Sequence, residues 1–513
     1  MANSRSAIKD HGYTLVSKEK NLVKNEGGDQ FVIKKLKTNQ DELNFLLELT
    51  HPHIVHHKET FPDSDCLCLL LEHYEGGDLA QKIKNKKEGT DTFSENEILD
   101  WIVNICMALK YLHDKQILHK NLQPESIFFT SFGTIGLGEF GVIHQWSTEE
   151  PEEENKASYV APEILNGRPY EEKTDIWKLG CVIYELCMLK RAENTFPAVE
   201  KILTSSYKAL PLTFSGDLRQ LIKETLQPDP ACRPSVSEIL TRPFIINHLH
   251  KKILQSITTL NKKLEDLRAL ANDLEKVHFN TTVGSLAGGV MGLAGGIATV
   301  TGIVLSPFTL GASLVVTGLG IGTAVAGGVT AGACNITNMV NQSTNRQKIK
   351  MLIKEFQEKI TSTVCCIENI QRALETLEEQ STINDEFSNA QPGANAGARI
   401  GRGLGGIPEI FRLIQIANVG KVAAQAARVV RVAEAATGVL SALFIAVDVF
   451  FVFLDSKEIH KIRQVKALKD SRKANLLAEE LKSETMKFVT KIKETTEELQ
   501  KILDALQDAM LPN

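Results

Sequence analysis

No surplus of charge of either sign marks this sequence: 58 lysines and arginines stand against 63 aspartates and glutamates, a net charge of -5. That balance excludes a broad electrostatic footprint for nucleic acid, and no nucleic-acid partner is expected. The nine cysteines do not make a disulfide framework either. Their number is odd, Cys66 and Cys68 fall in a strand-like run, Cys365 and Cys366 are adjacent in a helical one, and none has zinc-ligand spacing. Free buried thiols are expected. The first residues, MANSRSAIKDHGYTL, lack an apolar stretch after a basic start, so the expectation is an intracellular protein without a signal peptide. The widest gap is in charge itself: from Val277 to Asn345, 69 residues, there is no Asp, Glu, Lys or Arg. An uncharged block of that length excludes a solvated surface element and calls for burial in protein or in lipid.

What is present divides the chain. At 513 residues it exceeds what one hydrophobic core supports. Residues 1–245 carry strand-like runs first (FVIKKL, CLCLLLEHY) and a long helical pattern later (ILDWIVNICMALKYLHD), the order of a two-lobed α+β domain. Residues 246–513 read as all-helical. Ile253, Ile257, Leu260, Leu264, Leu267, Leu270 and Leu274 alternate spacings of three and four, an amphipathic helix. The uncharged block at 277–345 follows as a helical hairpin broken at SPFT, where Pro307 favours a turn. Its first arm runs 23 residues, about 35 Å at ~1.5 Å per residue, enough to cross a bilayer. Gly284, Gly288, Gly292 and Gly296, spaced by four, form a groove along one face that lets helices approach closely. A charged amphipathic helix with Phe356, Ile360, Ile367 and Ile370 comes next, its rhythm interrupted by Thr363. The turn-rich stretch 384–398 reads as a linker, 435–454 as a second apolar run, and 473–510 as a last amphipathic helix. Asp448 lies inside that second run; at membrane depth a carboxylate is costly, so it resists insertion until protonated, or else it faces water or pairs with a neighbouring helix. In HPHIVHH, four histidines (His51, His53, His56, His57) sit close together, which suggests a metal cluster or a structural turn.

Ordered along residues 1–245 are motifs that resemble a protein kinase domain, within it the NIMA-related (NEK-type) serine/threonine group. FVIKK places Lys34 where the family anchors phosphate, and ELNFLLELTHPHIV resembles helix C, with Glu42 as the lysine's ion-pair partner and HPHIV as the turn that follows. LEHYEGGDL resembles the hinge, here Glu72 to Tyr74, and ILHKNLQPESIFF the catalytic loop. GEFG resembles the magnesium motif, APE the end of the activation segment, TDIWKLGCVIYEL helix F, and Arg233 the arginine that pairs with the APE glutamate, Glu163. The resemblance implies a bilobal fold, whose supports His119, Phe140, Gly141, Glu163, Asp175, Trp177 and Arg233 are all present.

It does not imply activity. Phosphoryl transfer needs phosphates held, magnesium chelated and the acceptor hydroxyl oriented by a carboxylate. No GxGxxG loop lies between Gly12 and Gly28. Asn121 replaces the catalytic aspartate, and an amide cannot act as a general base. Gln123 replaces the lysine that steadies the transferring phosphate, Ser126 the magnesium-binding asparagine, and Glu139 the magnesium-binding aspartate, one methylene too long. Only seven residues separate Lys34 from Glu42, so helix C is expected to be cut short at its start. The expectation is a pseudokinase with no cofactor; ATP and magnesium enter only if nucleotide binding survives at Lys34, Glu42, Glu72 and Tyr74.

The second half, from about residue 250 to 510, is similar to the apolipoprotein L family in the order of its helices and in LSPFTLGASLVVTGLGIGTAVAG and LSALFIAVDVFFVFLDS. The similarity implies a lipid-binding, membrane-associated helical domain likened to the pore-forming domains of colicins. Expected partners are membrane lipids for this half and an unidentified protein for the kinase-like half. The expected location is cytoplasmic and membrane-associated, with an extracellular one by family analogy. The expected function is lipid transport or channel-like insertion under a regulatory pseudokinase. The alternatives are an active serine/threonine kinase tethered to membranes and a soluble helical scaffold.

Overall fold

The computed structural model describes residues 7–17, 21–26, 28–37, 40–63, 66–89, 91–141, 159–189, 211–287, 350–373, 375–376, 435–436, 438–450 and 471–510. The hairpin beyond Ala287, with Gly288, Gly292, Gly296 and Pro307, the linker 384–398 and the end of the second apolar run lie outside the described residues.

Five antiparallel strands open the chain: β1 (Thr14–Ser17), β2 (Leu22–Lys24), β3 (Gln30–Leu36), β4 (His57–Asp63) and β5 (Cys66–Glu72), in spatial order β1-β2-β3-β5-β4. β5 is buried at five successive positions, Leu67 to Leu71, since it runs between two strands with both faces covered. A short apolar run without alternation is the mark of such a strand. Opposite it, Lys34 of β3 pairs in register with Leu69. The helix α1 (Gln40–Leu47) has only eight residues and holds on through Leu43 and Leu46, both fully buried.

Below the sheet, α2 (Leu79–Glu88) starts at Asp78, whose side chain accepts from the Gln81 N–H at 2.8 Å. The 20-residue α3 (Glu95–Asp114) starts at a capping box in which Ser94 and Glu97 bond reciprocally, satisfying two orphan donors. Twelve of its residues are buried, which makes it the core of this lobe. The hairpin β6 (Ile127–Phe129) and β7 (Ile135–Leu137), then α4 (Pro162–Leu165), α5 (Glu172–Met188), α6 (Gly216–Thr225) and α7 (Val236–Leu240) complete it. Where α5 meets α6, a Cβ on Gly180 would lie 2.6 Å from Thr225 Oγ1, so only glycine permits this approach. Arg233 is fully buried and spends all five N–H donors. Nη1 and Nη2 each reach Glu163 at 2.7 Å, and the rest go to the carbonyls of Lys173, Gln227 and Pro228 at 2.7–3.1 Å.

Among the described residues the rest is helical: α8 (Pro243–Ala287, 45 residues), α9 (350–373), α10 (438–450) and α11 (Ser471–Met510, 40 residues). The expected stripe of α8 is buried at Ile253, Ile257, Leu260, Leu264 and Leu267. α9 buries Ile353, Phe356, Ile360, Ile367 and Ile370. Its interrupting Thr363 is buried too, its hydroxyl donating to the Lys359 carbonyl at 2.7 Å, so the polar atom costs little. α10 buries Leu440, Leu443, Val447 and Phe450, and Phe450 stacks on Phe488 of α11 with ring centroids 4.3 Å apart. Lys263–Glu355 and Lys493–Glu275 ion pairs, at 2.6 and 2.5 Å, link the helices at their rims. Among the described residues, no helix is long and apolar enough to cross a membrane.

The chain folds as two compact units: one takes residues up to Ile253 and a segment beginning at Cys365, the other Leu254–Val364 and a segment beginning at Gln425. These units depart from a simple division at residue 245, because the first turns of α8 and the end of α9 belong with the kinase-like lobe.

Candidate functional site

The catalytic-loop stretch, residues 119–126, is held from beneath by Asp175 near the start of α5. This fully buried carboxylate accepts from the backbone N–H groups of His119 and Lys120 and from His113 Nε2, each at 3.0 Å, and from the Tyr170 hydroxyl at 2.5 Å. Burial alone would push the Asp175 carboxyl up, but hydrogen bonds from His113 and Tyr170 and the nearby imidazoles hold it below the usual carboxylate range. Lys120 takes left-handed backbone (φ 64°), and Lys178 Nζ of α5 donates to its carbonyl at 2.5 Å. The His119 ring lies 5.0 Å from Phe140, and Phe140 lies 6.0 Å from His57 of β4. Burial pushes both histidines down to about 4.

On this frame the four departures from the kinase pattern come together. Asn121 donates its side-chain amide to the Glu139 carbonyl at 2.9 Å. Glu139, in left-handed backbone at φ 53°, turns its carboxylate onto Lys34 Nζ. Both side chains are three-quarters or more shielded from solvent. Lys34 therefore has Glu139 as a counter-ion: the extra methylene and the left-handed turn carry the Glu139 carboxylate to the lysine. The Glu42 backbone lies in α1; its side chain is outside the described residues. Gln123 and Ser126 close a loop on themselves, the Gln123 N–H donating to Ser126 Oγ at 3.1 Å and that hydroxyl donating to the Gln123 carbonyl at 2.8 Å.

These residues do not fit a magnesium ion. Octahedral magnesium needs free oxygen ligands, whereas the Glu139 carboxylate is committed to an ammonium and the Ser126 hydroxyl, fully buried, to its own turn. At the hinge, the Glu72 N–H donates to the His56 carbonyl at 3.0 Å. Tyr74 lays its phenol over Gly136, where a Cβ would come within 2.6 Å of the hydroxyl oxygen.

The histidine run is a turn. His51 Nδ1 accepts from the His53 N–H at 3.1 Å, and His53 Nδ1 faces the Ile135 carbonyl at 3.1 Å. No group of His, Cys, Asp and Glu among the described residues could hold a metal ion.

In the helical half, Asp448 of α10 pairs with Lys350 of α9 at 2.7 Å, and the Lys350 ammonium stands 4.6 Å from the Phe444 ring. Pairing with a neighbouring helix is one of the readings that the sequence left open for Asp448. α10 leaves Ile445 and Val449 exposed at 63% and 60%. The Gly284 backbone lies in α8. Sequence reasoning missed Lys350, though it is among the first charges after the uncharged block, and it missed Lys178 and Tyr170, for which no local motif gives a signal.

Residues 5–245 match the family model described as protein kinase domain, and residues 251–497 match that of apolipoprotein L. Among curated relatives, the first part is 39% identical over 247 residues to the serine/threonine-protein kinase Nek1 of Mus musculus, covering 45% of this chain and 20% of the relative. It is 34% identical over 243 residues to Nek5 of Homo sapiens (46% and 34% covered) and 33% identical over 274 residues to Nek3 of Mus musculus (48% and 53% covered). The chain thus spans between a fifth and about half of the length of these relatives.

Proposed function

We propose that this chain, a Nek-like protein kinase domain followed by an apolipoprotein L domain, works without phosphoryl transfer. The N-terminal domain is a pseudokinase that serves as a regulatory or partner-binding module. The C-terminal half engages membrane lipids, as a carrier or by channel-like insertion, from the cytoplasmic side. One observation carries the first part: Glu139, which stands where magnesium should be chelated, instead neutralises the phosphate-anchoring Lys34. With Asn121 in place of the base and Ser126 bound to its own turn, neither metal nor acceptor hydroxyl is provided for. The second part is supported by the apolipoprotein L match and by the uncharged block.

A rival reading, an active serine/threonine kinase, draws on the relatives' names and on the intact Glu163–Arg233 pair. Thermal unfolding of the full chain with and without ATP and magnesium separates the two. Ligand at 100 times its dissociation constant stabilises by about 2.7 kcal/mol. No shift and no transfer of labelled phosphate to a Ser/Thr peptide is expected; a shift accompanied by transfer would sink the pseudokinase reading. For the lipid part, the full chain is expected to co-sediment with anionic liposomes. A chain that stays in the supernatant would make the helical half a scaffold.

A further inference from the structure

The end of α9 lies against α3 and the turn that follows α1. Residues 365–373 are the part of α9 that belongs to the same compact unit as the kinase-like domain. Their face is dry: Cys365, Cys366, Ile367, Ile370 and Ala373 are all buried. Cys365 Sγ sits 3.5 Å from His51 Nε2 and 3.8 Å from Met107 Sδ of α3. On the far side His51 is packed by the Tyr111 ring, 5.1 Å away, whose hydroxyl accepts from the Thr50 N–H at 3.0 Å.

This geometry fixes the protonation of His51. Its Nδ1 accepts from the His53 N–H, so the single ring proton is on Nε2, facing the Cys365 sulfur. A second proton has only Nδ1 to go to, where it would abolish the hydrogen bond that holds the turn and set a cation beside the docked helix. The charges around that position are unfavourable. From α9 comes Arg372, and from α8 comes Lys252, whose charge acts on the adjoining His53 and on Cys365. The nearby carboxylates are engaged: Glu368 stands 4.0 Å from Arg372, and Asp100 bonds His248 and Lys252 at 3.0 and 3.1 Å. Cys365 is a neutral thiol that burial keeps from ionising. Among the described residues, no carboxylate bonds His51.

We propose that the His51–Cys365 contact is an acid-released latch, by which the kinase-like domain holds residues 365–373 of the lipid-binding half at neutral pH and lets them go on acidification. The proposal rests on reading that domain as a non-catalytic module, and it names the segment the module grips. In agreement with the geometry, burial and then the Arg372 charge push His51 down to about 4. The released ring returns to the ordinary histidine range, near 6.5. Release is therefore favoured progressively as pH falls from about 6.5 towards 4, by up to about tenfold per pH unit.

Hydrogen exchange of the full chain, corrected for intrinsic rates, at about pH 7.4 and about pH 5.5, tests this. The wild type is expected to lose protection at 365–373 on acidification. In His51→Asn the amide oxygen replaces Nδ1 as acceptor and cannot be protonated, so protection there is expected to hold at both pH values. Arg372→Gln, at an exposed position, is expected to shift release to lower pH. Met107→Cys, oxidised to a disulfide with Cys365, is expected to keep the segment protected at acidic pH. Equal loss of protection in wild type and His51→Asn, or none in either, overturns the latch. Failure of the pseudokinase reading is seen separately, in the phosphate-transfer assay at neutral pH.

Discussion

Arg233 shows how much of a fold can depend on one side chain. What the buried guanidinium supplies is a counter-ion for Glu163 and a donor to each of three carbonyls, and removing it takes away all five bonds at once. Arg233→Met is expected to lower unfolding free energy by about 3–5 kcal/mol, seen as a lower urea midpoint at unchanged slope. The Lys34–Glu139 pair, a fifth to a quarter exposed, belongs to another class, and Lys34→Met is expected to cost about 1 kcal/mol or less. At the catalytic loop, Asn121→Asp restores the missing carboxylate but neither the metal ligand at Ser126 nor a free carboxylate at 139. It is expected to yield no phosphate transfer above the wild-type background; a clear gain in labelled peptide would show that the base alone was lacking.

At the scale of elements, glycine and helix length decide. Gly180 is the point where α5 and α6 approach, and Gly180→Ala pushes a methyl into Thr225 and Leu226. A cost of about 1–3 kcal/mol is expected from the overpacking, and Thr225→Ser in the same chain gives no relief because the clashing hydroxyl remains. Secondary structure was the most legible level of the sequence: the continuous run of β5 and the stripes of α8 and α9 all follow from spacing. What spacing could not give is which carboxylate faces which ammonium. Glu139 reaches Lys34 from a left-handed residue, and a positive φ at a glutamate leaves no signature in sequence. Lys350 went unnoticed for the same reason, as it meets Asp448 across 98 positions of chain.

For the whole molecule, acid is the clearest lever. His57 and His119, together with His51, are buried and neutral in the folded chain. Each has its folded value pushed down to about 4 by burial, below the value near 6.5 of the unfolded chain, so the unfolded state binds the extra protons. Their contribution is therefore complete above about pH 6.5 and is lost as pH falls towards 4, on the order of 3 kcal/mol for each. Urea unfolding of the kinase-like unit, followed by tryptophan fluorescence, is expected to be flat from about pH 8 to 7 and to weaken steeply below about 6. His57→Phe, which keeps the ring against Phe140, is expected to flatten that slope; an unchanged slope would mean that the carboxylates govern acid lability. The two-part composition was plain in the sequence from its charge distribution, but the compact units were not. That the end of α9 sides with the kinase-like lobe depends on Cys365 meeting His51, 314 positions away.

The counter-ion that Glu139 supplies to Lys34 has a consequence for life in a cell. On the proposed reading that no nucleotide binds, that internal anion offsets the lysine's charge without any phosphate. The domain's folded fraction is then expected not to change when ATP is withdrawn.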